Sequence, residues 1–561
     1  MFPVKLHLAY KSIKRLRAII SVMVTYGFYP LLESLRLTRL IAVHRRLAGK
    51  KTGAEREEPS MAVRLRLAFE ELGPTFIKFG QILSSRPDII PDEFIAELLK
   101  LQDEVRPFPF KDVARVIEKE FKAPLASVFS SIDETPVAAA SIAQVHRAVT
   151  VEGREVVVKV QRPGIKDVID TDIAILKYVA RVMFKHIPES RVHDPVGVVD
   201  EFAKIIKREM DFTLEASYME KFRANFADDA SVEIPEVFWK HTRKRILTMS
   251  KVSGIKIDHV AELRGKGIAT GKVAGLLMKV FFTQMFDHGL FHGDLHAGNI
   301  LVRGEERLSL LDFGIVGRLD EDLKQHLADI FLGILNEDPA SLARLYLKMG
   351  ILPDDIDMAA FVREYGDITV HYFNRPLSYI RIGDLFMDHI RLVTAYRIKI
   401  PREFLLFSKC IVQLEGLVRV LDPEADIVKT CEPFAAQVVR KRLSPSAVIS
   451  DGMTTLDDYR DLVNNVPVYT RRVFKKILSD DLSVQFVHRG LEDLLGEMDR
   501  SSNRLTFGII LAALVIGSSL IIAANAGPAV MGYPALGIIG FVIAGLLGLW
   551  LSFLILKSGK F

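Results

Sequence analysis

Residues Leu505–Leu556 contain no Asp, Glu, Lys, Arg or His. A run of that purity constrains the fold more than any other feature, because hydrocarbon is crossed only by backbones whose polar groups pair within a helix or a closed barrel. The run breaks at NAGPAVMGYP, Asn525–Pro534. Each part is long enough for about 30 Å of hydrocarbon at roughly 1.5 Å per residue. A transmembrane helical hairpin is therefore predicted over 505–556; the competing reading is a buried hairpin in a soluble core. Arg500 and Arg504 precede it, Lys557 and Lys560 follow it, and the connecting loop is uncharged. The positive-inside rule then puts both ends, and the large N-terminal body, in the cytoplasm. Gly537, Gly540, Gly545 and Gly548 would let the two helices approach closely.

The rest of the 561 residues is more than one usual domain. A net charge of +5 on 75 basic and 70 acidic residues gives no global field for nucleic acid, so no nucleic-acid partner is expected. Cys410 and Cys431 lie outside any CxxC or Cys/His spacing, which argues against a disulfide framework or a thiolate zinc site. The first fifty residues carry ten Lys or Arg and one acid, Glu33, around the apolar stretch Ala18–Leu32. A basic amphipathic segment lying on the membrane surface is expected over 1–55, with a targeting peptide and a solvated basic helix as the alternatives. A second basic cluster, RRVFKK at Arg471–Lys476, could sit against anionic lipid.

Within the body, VEGREVVVKVQRPG, Val151–Gly164, reads as strand, turn and strand, with Gly153 in the turn and Lys159 inside a β-branched run. PVAAASIAQVHRAVT upstream supplies two more strand-like pieces around an alanine-rich bend, so a small antiparallel sheet is predicted. From Asp194 the pattern turns helical. Val199, Phe202, Ile206 and Glu209 share one face, and a glutamate facing inward needs a cation. Beyond Phe313 the chain is almost wholly helical, with Leu323, Leu327, Ile330, Phe331 and Ile334 on one stripe.

HGDLHAGN, His292–Asn299, and LSLLDFG, Leu308–Gly314, carry the chemistry. The intervening ILVRGEERLSLLDFG looks like a short hairpin that would fold Asp312 back beside Asn299. Asn299 and Asp312 are hard oxygen donors suited to Mg²⁺, and Asp294 would orient or deprotonate an acceptor. That is the arrangement of the protein-kinase-like fold. A zinc site on His292 and His296 is poorer, because Gly293 and Gly298 disfavour the helix that would align an i,i+4 pair. His292 is expected to support the loop by hydrogen bonding. In such a fold a strand lysine holds nucleotide phosphates and pairs with a helical acid. Lys159 fits, with Glu209 as partner and Asp211 and Glu215 as alternatives in EMDFTLE. The usual glycine-rich loop is replaced by AAASIAQ, Ala138–Gln144, whose methyl groups restrict backbone approach to phosphates. GKGIATGK, Gly265–Lys272, has the wrong spacing for a P-loop and reads as a turn entering a helix.

LGPTFIKFGQILSSRPDIIP, Leu72–Pro91, reads as a helix begun near Pro74, with Lys78 and Gln81 on a shared face. Lys-x-Gly-Gln, the Ala-Ala-Ala-Ser loop, VKVQRPG, EMDFTLEA, HGDLHAGN and LLDFG together resemble the UbiB family of atypical kinase-like proteins in order and spacing, from about Ala62 to Gly317. The resemblance implies membrane-associated ATP binding and hydrolysis, with Mg²⁺, in support of ubiquinone or other isoprenoid quinone biosynthesis. It also implies that the helix of Lys78, Gly80 and Gln81 packs over the site where a protein substrate would dock. Ala138, Ala139, Ala140 and Ser141 would form the nucleotide loop, and Glu209 and Asp211 match the family's Glu-x-Asp motif. Tyr218 departs from it, standing where asparagine is expected. The residues themselves support occlusion: no Ala-Pro-Glu follows LLDFG, a helix begins near Asp320, and Gly293 replaces the arginine of the usual catalytic loop.

The expected architecture is α+β: a two-lobed kinase-like fold with an N-terminal helical extension and a C-terminal transmembrane hairpin. Its parts are the basic segment 1–55, the extension 56–110, the N-lobe 111–250, the C-lobe 251–450, a tether 451–504 and the hairpin 505–556. The expected protein is an ATPase on the cytoplasmic face of a bacterial inner membrane, with membrane lipids or quinone precursors, and quinone-synthesis enzymes, as partners. A phosphotransferase acting on a small or lipid-like acceptor and a non-catalytic nucleotide-binding scaffold are the rivals.

Overall fold

The computed structural model describes residues 2–35, 37, 59–84, 86, 89–101, 106–336, 338–350, 352–353, 356–373, 381–442, 444, 491–525, 528–530 and 533–557. The chain divides into two units, Met1–Ser450 and Asp451–Phe561. RRVFKK and most of the expected tether lie outside the described residues.

The first unit opens on α1 (Phe2–Thr25). Ile19 and Ile20 of this helix, and Phe28 and Leu32 beyond it, are buried. Arg15 donates to the Leu72 carbonyl at 2.8 Å and pairs at 2.7 Å with Asp172, a carboxylate fully removed from solvent. Part of the segment expected to lie on a membrane surface, 1–55, thus packs on the protein body through Ile19, Ile20, Phe28, Leu32 and Arg15. Tyr29 and Leu31 of the same stretch stay exposed. Residues 38–58 lie outside the described residues.

α2 (Met61–Leu72), capped by Ser60 Oγ, leads through Gly73, at φ +94°, into α3 (Pro74–Leu83). Proline is favourable at the first helical position, where its missing N–H costs nothing. α4 (Asp92–Leu98) completes the extension. A Cβ at Gly80 of α3 would stand 2.4 Å from Leu101 Cδ1, 2.9 Å from Phe69 Cδ2 and 3.2 Å from Leu98 Cδ2. Glycine is therefore required there by close packing against α2 and the end of α4. The extension is tied to the body by Arg86–Glu201 at 2.8 Å and Arg391–Asp92 at 2.7 Å.

α5 (Phe110–Phe121) covers one face of an antiparallel sheet made of β1 (Phe129–Ile132), β2 (Ala138–Ala139), β3 (Ala143–Thr150), β4 (Glu155–Gln161) and, from later in the chain, Ile246–Ser250. Gly153 turns β3 into β4 at φ +80°, as the turn chemistry predicts. Strand alternation buries Val156, Val158 and Val160 with Phe129, Val113 and Ile117. Lys159 therefore falls on the opposite face. After α6 (Ile165–His186) and α7 (Pro195–Glu209), α8 (Phe212–Asn225) brings Phe212 and Glu215 to Lys159 on that face. Asp194 caps α7 by accepting from Gly197 N at 3.0 Å, and Val199, Phe202 and Ile206 are buried along its inner stripe.

β5 (Val232–Glu233), β6 (the Ile246–Ser250 strand) and β7 (Ile255–Lys256) lead into the second lobe, where α9 (Thr270–Phe282) follows the Gly267 turn. β8 (Leu290–His292) precedes the catalytic-loop sequence. β9 (Ile300–Val302) and β10 (Leu308–Leu310) form the expected hairpin, and the Leu311 N–H donates to the Asn299 carbonyl at 2.8 Å. β11 (Val316–Arg318) pairs antiparallel with β8, Val316 opposite His292. Helices α10 (Glu321–Leu335), α11 (Pro339–Met349), α12 (Met358–Phe373), α13 (Ile382–Ala395), α14 (Arg402–Leu421) and α15 (Ile427–Arg442) complete the lobe. The predicted α10 stripe, Leu323 to Ile334, is buried in the main core.

The second unit holds α16 (Leu491–Ala523) and α17 (Ala535–Lys557). They pack antiparallel: a Cβ at Gly540 would meet Ser518 Oγ, one at Gly537 would meet Ile522, and one at Gly548 would meet Leu511. Leu505–Ala523 is long and apolar enough to cross a membrane, with mean hydropathy 2.5. The second stretch is apolar over Ala535–Trp550 and is shorter. Leu505, Ile509, Ile516, Leu520, Leu546 and Leu549 all point outward, more than half exposed.

Gly80→Val is expected to destabilise the first unit by about 1–3 kcal/mol through overpacking. Denaturant unfolding of the detergent-solubilised chain checks this, and an unchanged midpoint would refute tight packing of α3.

Candidate functional site

Lys159 projects from the middle of β4 into the cleft between the lobes, on the face its strand register dictates. Its ammonium donates to both Glu215 oxygens, at 2.8 and 3.0 Å, and to Asp312 Oδ2 at 3.3 Å. Only 12% of the Lys159 side chain and 5% of Glu215 are exposed, so neither charge could be held there alone. Burial disfavours the Lys159 cation, but the Asp312 and Glu215 carboxylates outweigh it and raise its pKa well above the ordinary range. Burial, helped by the neighbouring carboxylates of Asp312 and Glu209, outweighs Lys159 and lifts Glu215 to about 7.

Of the three acids in EMDFTLE that could pair with Lys159, Glu215 does so and Glu209 does not. Glu209 ends α7, and its carboxylate meets Lys78 of α3 at 2.7 Å, both side chains 12% exposed. Glu215 sits one turn into α8, after the chain direction has changed at Met210–Asp211, which carries it under β4. The inward-facing glutamate does have a cation, but the helical extension supplies it. Asp211 caps α8 instead, accepting from Thr213 N and Oγ1 at 3.2 and 2.6 Å, and pairs with Lys244 at 3.1 Å. The Gln81 amide donates to the Leu101 carbonyl at 3.2 Å, which fixes the chain leaving α4.

Asp312 lies at φ +53°, a left-handed backbone that Asp tolerates because its carboxylate can bond locally. Here Oδ1 accepts from Gly314 N at 3.1 Å. Burial works against its ionisation, yet Lys159 and Lys78 pull Asp312 down to about 2. Phe313 is wholly buried between Phe222 of α8, at 4.8 Å, and the His292 ring, at 5.2 Å.

His292 does support the loop. Nε2–H donates to the Leu311 carbonyl at 2.9 Å, Nδ1 accepts from Asp294 N at 3.2 Å, and burial keeps the ring neutral. Gly293 stands where a side chain has no room, since a Cβ would lie 2.7 Å from Ile315 Cγ2 and 3.0 Å from its carbonyl oxygen. Asn299 spends its amide N–H on the Asp294 carbonyl at 3.1 Å, so its amide oxygen is the atom available as a ligand. Asp294 Oδ1 accepts from Lys409 Nζ and Gln413 Nε2, each at 3.1 Å. Burial is overcome chiefly by Lys409 and His296, holding Asp294 far below the usual carboxylate range. No sequence motif signals Lys409 and Gln413. Their spacing of four among the buried Phe407, Cys410, Ile411 and Leu414 of α14 is the one sign available.

Ala138 and Ala139 form β2, and Ser141 follows in the bend with its hydroxyl buried and without a hydrogen-bond partner. Among the described residues, no group of three or more His, Cys, Asp or Glu side chains could cage a metal. Both ring nitrogens of His292 are engaged within the loop, with the Leu311 carbonyl and Asp294 N. An Asp and an Asn suit Mg²⁺, which takes its remaining oxygens from water and phosphate.

The strand lysine with its helical glutamate, the HGD loop and the Asp-Phe-Gly carboxylate define a kinase-like protein. Residues 100–346 match the ABC1 atypical kinase-like domain, 365–426 the UbiB helical domain, and 489–557 the ABC1/UbiB kinase-like C-terminal domain. A protein from Clostridium pasteurianum, described as an uncharacterized protein in the hydrogenase 1 5' region, is 31% identical over 98% of this chain and 99% of its own. Proteins described as probable protein kinase UbiB are 34% identical in Marinobacter nauticus, over 82% of this chain and 84% of that one, and 35% identical in Xanthomonas campestris pv. campestris, over 79% and 81%. The chain belongs to the UbiB family.

Double-mutant cycles on unfolding free energy are expected to give coupling of about 0.5–3 kcal/mol for Lys159 with Glu215 and for Lys78 with Glu209. Lys159 with Glu209 should couple more weakly, and equal coupling of all three would contradict the pairing seen here.

Proposed function

We propose that this chain is a membrane-anchored, ATP-hydrolysing kinase-like protein that supports the synthesis of ubiquinone or a related isoprenoid quinone. The observation that carries the reading is the convergence of Lys159, Glu215 and Asp312 in one cleft with Asp294 and Asn299. Lys159 binds nucleotide phosphate, and Glu215 fixes the lysine for that task. Ser141 and the Ala138–Ala140 backbone approach the phosphates from the sheet side. Asn299 and Asp312 would hold magnesium, which neutralises phosphate charge when bound. Asp294, kept ionised by Lys409, is a weak base; its role is to accept a hydrogen bond from the attacking water and orient it. Orientation suffices where the transition state is loose and proton removal is late.

Hydrolysis is favoured over protein phosphorylation by two features. Lys78 is anchored on Glu209 beside Asp312, so α3 occupies the approach to the cleft. The stretch after Gly314 enters β11 and then α10, whose cap is Asp320, leaving no segment on which a peptide could dock.

Anchoring follows from α16 and α17 read as a two-span hairpin, whose Arg and Lys flanks put both ends on the cytoplasmic side of a bacterial inner membrane. The apolar substrates of quinone synthesis live in that bilayer, which gives a hydrolase with this anchor its place of work. Quinone-synthesis enzymes are the partners this reading implies.

In liposomes the chain is expected to hydrolyse ATP only with magnesium. Asp294→Asn should slow turnover by about 10²-fold or more with nucleotide binding retained. Asp312→Asn should abolish magnesium-dependent nucleotide binding. Label from the γ-phosphate appearing on a lipid, and not as free phosphate, would replace hydrolysis by phosphotransfer; quinone synthesis persisting with Asp312→Asn would replace it by a scaffold.

A further inference from the structure

The aspartate of the HGD loop is held from far outside that loop. Lys409 and Gln413 lie one turn apart on α14 and both donate to the same oxygen, Asp294 Oδ1, at 3.1 Å. Gln413 does more: its Oε1 accepts from Leu295 N at 3.0 Å, so one amide fixes the carboxylate and the adjoining backbone together. Between them on the helix, the Cys410 thiol approaches the His292 carbonyl at 3.5 Å. Residues 292–295 are thus clamped at three points by one helix. The imidazole of His296 stands 3.8 Å from Oδ2 with 54% of its side chain exposed. Lys409 is 13% exposed.

The geometry points to Lys409 and Gln413 as positioning residues of the phosphoryl-transfer centre, supplied by the helical region that follows the kinase-like core. This inference rests on the proposed function above. By saturating Oδ1 they stop rotation of the carboxylate and leave Oδ2 as the oxygen that aligns the attacking water. A carboxylate locked in one orientation spares the transition state the entropy of finding it. A purely structural lysine here would serve only as counter-ion to a buried carboxylate. The two roles differ in what its removal changes.

The test uses the full-length chain in liposomes, with ATP hydrolysis and calorimetric binding of magnesium and ATP read separately. Lys409→Met is expected to lower turnover at saturating ATP at least about tenfold, with nucleotide affinity retained within a factor of about two. Lys409→Ala is expected to lose turnover equally and to regain part of it when ethylammonium is added, since the small cation can fill the vacated place. Rescue can occur only in folded protein, so it separates loss of position from loss of fold. Wild-type turnover in Lys409→Met overturns the inference and leaves the proposed function standing. So does a loss in Lys409→Ala that ethylammonium fails to relieve, which assigns the lysine to packing. Absence of magnesium-linked ATP binding by the unmutated chain would remove the proposed function, and the inference with it.

Discussion

Everything in the cleft depends on the difficulty of keeping lysine charges away from water. Lys159 can stay on the inner face of a valine strand only because Glu215 and Asp312 meet it there, and Lys78 can enter the cleft only because Glu209 receives it. Each pair joins two separate parts of the chain: β4 to α8, and α3 to α7. Removing either partner strands the other, at a cost of several kcal/mol for a truly buried charge. The pairs therefore fix the relation of sheet, helices and extension, besides furnishing chemistry. They also leave more carboxylates than lysines in one small volume, the electrostatic condition under which a divalent cation is welcome.

Rigidity of the catalytic loop comes from a second set of contacts. Neutral His292 spans from Asp294 N to the Leu311 carbonyl, joining the HGD loop to the Asp-Phe-Gly segment through one imidazole. Phe313 stacks its edge on that imidazole and on Phe222, so α8, which carries Glu215, is packed against the residue following Asp312. The lysine's acid partner and the proposed metal ligand thus share a common hydrophobic support.

Much of this was legible in the sequence, because it depends on short-range pattern. Strand periodicity put Lys159 on one face and Val156, Val158 and Val160 on the other. The spacing from Asn299 to Asp312 required a hairpin, and β9 and β10 form it. Helix α7 declared an inward glutamate. What pattern could not settle was long-range pairing: Glu209, Asp211 and Glu215 are equally plausible on paper, and only the break between α7 and α8 decides among them. Lys409 was invisible for the same reason, lying more than a hundred residues from Asp294 with no motif of its own. The packing of the first helix on the body was hidden as well, because an amphipathic helix looks alike whether its apolar face meets lipid or protein. Arg15 and its buried partner Asp172 carry no signature of their distance in the chain.

The pairing of β11 with β8 has a consequence for inhibitor chemistry. Immediately past Phe313 and Gly314 the backbone is stitched into a two-stranded ribbon, and Ile315 fills the space where Gly293 has no side chain. Ligands that act by swinging the phenylalanine outward and occupying the hollow behind it would have to unpick that ribbon and shift the core seating of Phe222 at once. Compounds selective for this cleft should instead exploit the orphan Ser141 hydroxyl and the alanine-lined bend beside it.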